Sequence, residues 1–483
     1  MSTPKRNWIF VTIAIILPVV FALKLNIRTA GRANTSEVIL SGIGQTNPPP
    51  IVFSSLSTAL QWRPRDHGIK QNASAIMWSL QPPGSTFPIH EPIMLGGTSS
   101  KYLLQGNDAT LVWASTAAGG ALVQFLTASS VWRLTNMTLQ CSNLSAGIVS
   151  IANATDISLS TMRILGVGQQ TSGAITFTAN TDVLQQGIAV RDIYVESQGF
   201  GVLILSRSGT SRDHVFERVF INGSYGHALL FSGISNGTIT SCTTVNVNAN
   251  RPATPVGGDG RFGHGVAVDG NSGHDPVYTL RVHNNTVINV SGYAGERYRF
   301  EGIEVGDAVY NATITNNTII SVAYGYGVYF GGGNFPSANA VISDNIIRDV
   351  NDYGIYIDGR NLNHAPTTDV TVKRNRIYNA GPAGILTHHA ARITVLDRNQ
   401  LFRSGSFAGV AVPPGCINCS CAPGQSWHGP APKSIWPGPP PTGSGIGVID
   451  LSVVSMCVVA LVCDSETENE MCQKCFRKYE VCV

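Results

Sequence analysis

A short unit of Gly followed by alternating apolar residues recurs down most of this 483-residue chain. It begins at Gly120, Gly147, Gly173, Gly201, Gly226, Gly265, Gly302, Gly327, Gly354, Gly384 and Gly409, at intervals mostly of 25–30 residues. Gly-Ile-Glu-Val at 302–305, Gly-Val-Tyr-Phe at 327–330 and Gly-Ile-Tyr-Ile at 354–357 are typical. A second strand with an Asn-rich turn lies between successive units, as in Ile-Thr-Asn-Asn-Thr-Ile-Ile at 314–320. Period-2 strands repeated at such an interval cannot bury their apolar face singly and must stack. Stacking puts like positions on adjacent strands, 4.7–4.9 Å apart. Asn285, Asn317, Asn345, Asn375 and Asn399 then form a ladder at one turn.

The predicted fold is all-β, a parallel solenoid of about 11–13 coils. Composition agrees: 51 Gly and 25 Pro without a triplet period suit many tight turns and exclude a helical bundle. A net charge of +3 with only 13% charged residues excludes a polybasic nucleic-acid binder. The entry segment reads Pro82-Pro83-Gly84-Ser85-Thr86-Phe87, Pro92-Ile93-Met94-Leu95, Leu104-Gln105-Gly106 and Ala109-Thr110-Leu111. With that segment, residues 50–412 resemble the right-handed parallel β-helix proteins of the pectin-lyase-like superfamily. The resemblance implies a right-handed parallel β-helix over 34–412. The superfamily includes lyases, hydrolases, epimerases, tailspikes and adhesins, so it implies no single activity.

Reading the stacked units as columns brings polar outliers together. The position before the marker Gly holds Tyr225, His264, Glu301, Tyr326 and Tyr353. Two residues after it come Glu304, Tyr329 and Tyr356, and four after it Asp269, Asp358 and His388. The two longest insertions, 249–263 and 291–300, both precede a marker strand and emerge at this same turn. They carry Arg251, Arg261, Arg297 and Arg299. Loops on a stiff scaffold are the usual carriers of binding groups.

Arg binds carboxylates in a bidentate manner, and Tyr faces pack on sugar rings. The face therefore suits an acidic polysaccharide or cell-wall glycan laid across the coils. For a lyase or uronate C5-epimerase, His264 is the expected base, Tyr326 or Tyr353 the acid, and Arg299 the group that neutralises the uronate carboxylate. Glu301 belongs with these, and Arg261, Arg297, Glu304, Tyr329, Tyr353, Tyr356, Asp269 and Asp358 are expected to bind substrate. A glycoside hydrolase would instead pair carboxylates among Glu301, Glu304, Asp269 and Asp307. In a non-catalytic surface or adhesion protein the same tyrosines would only cover the sheet and the arginines would be solvated ions. Gly263-His264-Gly265 is similar to the Gly-His-Gly of polygalacturonases, but the upstream Asp pair and downstream basic motif of that family are missing. No cofactor is implied. Ca²⁺ is compatible with the adjacent carboxylates, although no ligand spacing marks a site.

Residues Trp8–Leu23 form an apolar run behind Lys5 and Arg6, so 1–33 is expected to be a signal anchor or signal peptide. Twelve Asn-x-Ser/Thr patterns, from Asn34 to Asn418, fit a lumenal or extracellular body, membrane-anchored through that segment or secreted. Residues 413–445 read as a Pro/Gly-rich linker and 446–483 as an apolar, Cys-rich tail. Eight of the ten cysteines lie beyond residue 412, where an oxidising compartment would cross-link them. Cys141 and Cys242 fall in different coils and are expected to be unpaired.

Overall fold

A computed structural model describes most of residues 75–402, together with short strands within 8–53 and 410–428. The longer breaks are at 96–100, 115–120, 126–130, 142–148, 168–172, 180–184, 207–210, 248–262, 271–275, 292–299, 360–365 and 403–409. In the segment 1–33 expected as an anchor, Trp8–Ile15 and Phe21–Thr29 are strands and the other residues lie outside the described ones, as do most of the linker at 413–445 and the whole tail at 446–483. Among the described residues no helix is long and apolar enough to cross a membrane.

The marker strands form one 12-stranded parallel sheet. In chain order these are β1 (Ile93–Leu95), β2 (Val123–Phe125), β3 (Val149–Ala152), β4 (Gly173–Ala179), β5 (Phe200–Ser206), β6 (Leu229–Ser232), β7 (Val266–Asp269), β8 (Ile303–Gly306), β9 (Val328–Gly331), β10 (Ile355–Asp358), β11 (Ile385–His388) and β12 (Val410–Ala411). Each pairs with its neighbours in sequence order. A second sheet is built from the intervening strands, such as Val309–Thr315 and Ala338–Ser343; its coil strands pair in parallel, while those within 8–53 pair antiparallel. The apolar residues of both sheets close into one core: Val305, Phe330 and Ile357 stand in register on consecutive coils and are fully buried.

Register also shows where the marker rule fails. Leu229 pairs with Val266, so the counterpart of Gly265 is Ala228, two residues beyond Gly226. Ile175 pairs with Val202, so Ala174 rather than Gly173 matches Gly201. A Cβ at Gly265 would lie 2.4 Å from Val287 Cγ1, whereas the coils of Ala174 and Ala228 carry alanine at this position. The column before the marker therefore contains His227, not Tyr225.

The asparagine ladder is present. Asn285, Asn317, Asn345, Asn375 and Asn399 are all buried. Each of the first four donates both its backbone N–H and its Nδ2 to the Oδ1 of the next, at 2.9–3.1 Å. The second Nδ2 proton goes to a backbone carbonyl, as from Asn317 to Val282 at 3.0 Å. The backbone N–H of Cys242 caps the ladder by donating to Asn285 Oδ1. The residues before the ladder, Asn284, Asn316, Asp344 and Arg374, hold φ between 54° and 60°. Asn and Asp tolerate that left-handed bend best, which is why the corner is rich in them. Further up the chain the same column is apolar: Ala109, Met137, Met162, Ile193 and Val219 occupy it in register. Cys141 and Cys242 are buried in different coils.

A smaller buried polar stack lies at another corner. His214 Nδ1 accepts the N–H of Ile188 at 3.2 Å, and its Nε2 lies 2.7 Å from Ser211 Oγ, which in turn donates to Gln185. This pattern fixes the neutral imidazole. Burial pushes the His214 pKa down to about 4, partly offset by Asp213. The unfolded chain binds a proton near pH 6.5 that the folded chain refuses, so this contribution is full above pH 6.5 and is lost as pH falls toward 4. The shift corresponds to about 3 kcal/mol. Urea midpoints measured between pH 4 and 7 are expected to fall accordingly, and His214→Asn is expected to flatten that limb.

Candidate functional site

Strands β6–β11 carry three rows of side chains on their outer side. Backbone hydrogen bonds link Ala228 N to His264 O, Gly265 N to Glu301 O, Gly302 N to Tyr326 O and Gly327 N to Tyr353 O. His227, His264, Glu301, Tyr326 and Tyr353 are thus successive members of the first row. The second row is Leu230, Ala267, Glu304, Tyr329, Tyr356 and Leu386. The third is Ser232, Asp269, Gly306, Gly331, Asp358 and His388 in the same register. The columns inferred from the repeat are these rows, apart from His227.

The centre of the site is a carboxyl–imidazole–carboxyl chain. His264 is buried, with 3% of its side chain exposed. Its Nδ1 abuts the Glu301 carboxylate and lies 3.0 Å from the Glu301 backbone nitrogen. Its Nε2 lies 3.0 Å from Glu304 Oε2. The His227 ring packs against it, centroids 4.6 Å apart. Burial opposes a charge on His264, but Glu304, Glu301 and Asp269 outweigh burial and hold its pKa well above the usual range. His227 goes the other way: burial, reinforced by His264, keeps it neutral. The Glu304 pKa is raised by burial and by Glu301, Asp269 and Asp307, against the attraction of His264. Glu304 is the member that reaches solvent, with 30% of its side chain exposed.

Beside this chain the tyrosines form their own cluster. The Tyr326 ring is near-parallel to those of Tyr329 and Tyr353, with centroids 5.9 and 5.8 Å away. Tyr356 lies beneath, 4.5 Å from Tyr326. Tyr326 and Tyr356 are buried, while Tyr329 and Tyr353 are partly exposed. At the far end His388 Nδ1 sits 3.5 Å from Asp358 Oδ1, and its ring centroid 6.4 Å from that of Tyr356. At the near end Asp269 accepts the Ser232 hydroxyl at 2.6 Å, and Asp307 the Phe335 N–H at 3.3 Å.

Of the residues singled out from sequence, His264, Glu301, Glu304, Asp269, Tyr326, Tyr329, Tyr353, Tyr356 and Asp358 are gathered on this face. Arg261, Arg297 and Arg299 lie outside the described residues. Their loops join the site at Gly263 and Phe300, next to His264 and Glu301. His227 was missed because Ala228 replaces the glycine that marks the other coils. One ligand atom each from His264, Glu301 and Glu304 lie within 4.8 Å of one another, so these three are the residues that could hold a cation. An imidazole with two carboxylates is not the all-oxygen shell that Ca²⁺ prefers. Both ring nitrogens also face carboxyl groups, which proton sharing satisfies without an ion.

No curated protein matches the sequence. Several solved structures are similar to the chain at low identity. The A-module of the Azotobacter vinelandii mannuronan C-5 epimerase AlgE6 is 13% identical, with a TM-score of 0.39, covering 68% of this chain and 92% of that one. The Streptococcus pneumoniae surface adhesin PfbA is 9% identical (TM-score 0.40; 65% and 83% covered). Endopolygalacturonase I from Stereum purpureum is 13% identical (TM-score 0.33; 73% and 95% covered). The family model for the right handed beta helix region matches residues 173–364 and 263–418, together just over half of the chain. With the coil register in place, the chain belongs to the right-handed β-helix family.

Proposed function

We propose that the outer face of β7–β11 binds a polysaccharide and that Glu304 is its proton-transfer group, in a lyase or C5-epimerase reaction on a uronic-acid polymer. The observation that carries this reading is the position of Glu304. It is the one partly exposed carboxyl of the His264 chain, and it heads the row that continues as Tyr329 and Tyr356. His264 is closed on both nitrogens by Glu301 and Glu304, so it acts through Glu304 rather than on substrate.

The step balances without a cofactor. The Glu304 carboxylate takes the C5 proton, and the electron pair of the C5–H bond passes into the uronate carboxyl group. In an epimerase a tyrosine hydroxyl returns a proton to the opposite face of C5. In a lyase the pair returns to form the C4–C5 double bond, the C4–O4 bond breaks, and O4 leaves with the proton of a tyrosine hydroxyl; in either reaction the tyrosinate regains a proton from water as Glu304 releases its own to solvent. A carboxyl whose pKa is raised toward neutrality is a better base than an ordinary one. Arg251, Arg261, Arg297 and Arg299, on the insertions that precede Gly263 and Phe300 in sequence, are the cations proposed for the substrate carboxylate. The Asn-x-Ser/Thr patterns and the apolar run at 8–23 fit a body exported to where such polymers are met.

The test is to incubate the full chain with alginate, polygalacturonate and neutral glucans, with and without Ca²⁺, and to follow each by proton NMR. Unsaturated ends or inverted C5 signals from a uronate polymer are the expected result. Unchanged spectra throughout would overturn the catalytic reading in favour of a non-catalytic adhesion or display protein.

A further inference from the structure

The corner beside the asparagine ladder carries a second pattern. From Asn136 to Arg374, nine successive coils hold a left-handed residue there in register. On the three coils where that residue is Asn, at 136, 284 and 316, the residue two positions later is Thr138, Thr286 or Thr318. Asp bends the chain as readily as Asn. Yet Asp192 and Asp344 are followed at that distance by Tyr194 and Ile346, and Arg218 and Arg374 by Phe220 and Arg376. Of the six other coils only that of Ser241 has threonine there, as Thr243. The bend therefore explains the asparagines but not the threonine that accompanies each of them.

Asn-x-Ser/Thr is the acceptor pattern for an N-linked oligosaccharide. Seven such asparagines are described: Asn236, Asn284, Asn311 and Asn316 are exposed, and Asn136, Asn222 and Asn289 partly so. None belongs to a marker strand. The exposed four hold φ of 53–60°. In each the next residue is buried, so the bend that seats it in the coil turns the asparagine amide out to solvent. Asn222 and Asn289 differ. They belong to a part-buried amide stack in which Asn246 Nδ2 donates to Asn222 Oδ1 at 3.1 Å and Asn289 Nδ2 to Asn246 Oδ1 at 2.9 Å.

We propose that Asn236, Asn311 and at least one of Asn284 and Asn316, which stand one coil apart, carry N-linked oligosaccharides. The rod is then clad at the corners of its second sheet and, among the described acceptors, bare on the β7–β11 face. This goes beyond the polysaccharide reading, is independent of what that face binds, and rests on export of the body. The donor is a lipid-linked oligosaccharyl pyrophosphate. The bond from sugar C1 to the pyrophosphate oxygen breaks, C1 bonds to asparagine Nδ2, one amide proton passes to solvent, and the lipid pyrophosphate leaves. The N–H that remains keeps the contact of Asn236 to Asp213 Oδ1, now 2.6 Å, and of Asn284 to Ser241 Oγ, now 3.1 Å.

The full chain, expressed with its own N-terminal segment in a eukaryotic secretory host, provides the test. Peptide N-glycosidase in water enriched in heavy oxygen converts each used asparagine to a labelled aspartate, which peptide mass spectrometry locates. Label is expected at Asn236, at Asn311 and at Asn284 or Asn316, with none at Asn222 or Asn289. Thr238→Ala and Thr313→Ala leave the asparagine corners in place, and each is expected to lower the intact mass by one oligosaccharide. Label confined to acceptors other than the four, or an intact mass unmoved by both threonine variants, overturns the corner assignment while leaving export and the polysaccharide reading standing. No label anywhere in the chain overturns export and this proposal with it.

Discussion

Glu304→Gln is expected to cut turnover on the responsive polymer by about two to four orders of magnitude, with polymer binding retained. The amide keeps the size and the contact to His264 but cannot take a proton. The pH profile provides the sharper readout. Glu304 must be ionised to act as a base, and its pKa is raised by burial and by Glu301, Asp269 and Asp307. Activity should therefore fall on acidification well before an ordinary carboxyl would be protonated. His264 draws the Glu304 pKa down, so His264→Gln is expected to move that limb to still higher pH. A merely structural His264 would lower stability without displacing the limb. Initial rates by NMR between pH 5 and 9 distinguish the two, and an unshifted limb in His264→Gln would remove its positioning role.

Asn317→Leu is expected to destabilise the fold by about 4 kcal/mol, at roughly 1 kcal/mol for each hydrogen bond lost. Four bonds go with the side-chain amide. The Asn285 backbone N–H and Nδ2 lose their shared acceptor, and the carbonyls of Val282 and Asn345 each lose a donor. All of these groups are buried, so no water replaces the partner. Leucine has the Cγ branching of asparagine and is the larger residue, so the substitution leaves no cavity. With total stabilities of 5–15 kcal/mol typical, the loss is a large share, and denaturant unfolding measures it directly. A change below about 1 kcal/mol would mean that the ladder contributes register without net stability.

The fold was legible because the solenoid writes its geometry into the sequence as a period. Like residues recur where like positions stack, so the ladder from Asn285 to Asn399 and the row Glu304, Tyr329, Tyr356 follow from spacing alone. The earlier coils were less legible because the marker position takes a small residue rather than glycine alone, and Ala174 and Ala228 occupy it. That shift of register hid His227. Burial was not legible either. Tyr326 and Tyr329 look alike in sequence, yet one lies under the tyrosine cluster and the other reaches solvent, a difference set by how adjacent coils and turns cover them. The role of His264 depends on the same hidden variable. A histidine beside a glycine reads as an available base, and only the placement of Glu301 and Glu304 at its two nitrogens shows that it is enclosed.

The column that changes from Ala109, Met137, Met162, Ile193 and Val219 to five asparagines divides the rod into two mechanical regimes. In the first, coils are coupled at this corner by dispersion contacts that tolerate small slips. In the second, every amide points the same way along the axis and each coil's hydrogen bonds require the next coil in one position. The change falls at Cys242, one coil before β7, where the site face begins. Thermal opening that starts in the softer N-terminal coils meets a stiffer boundary there. The coils that carry Glu304, Tyr329 and Tyr356 lie wholly within the hydrogen-bonded part of this column.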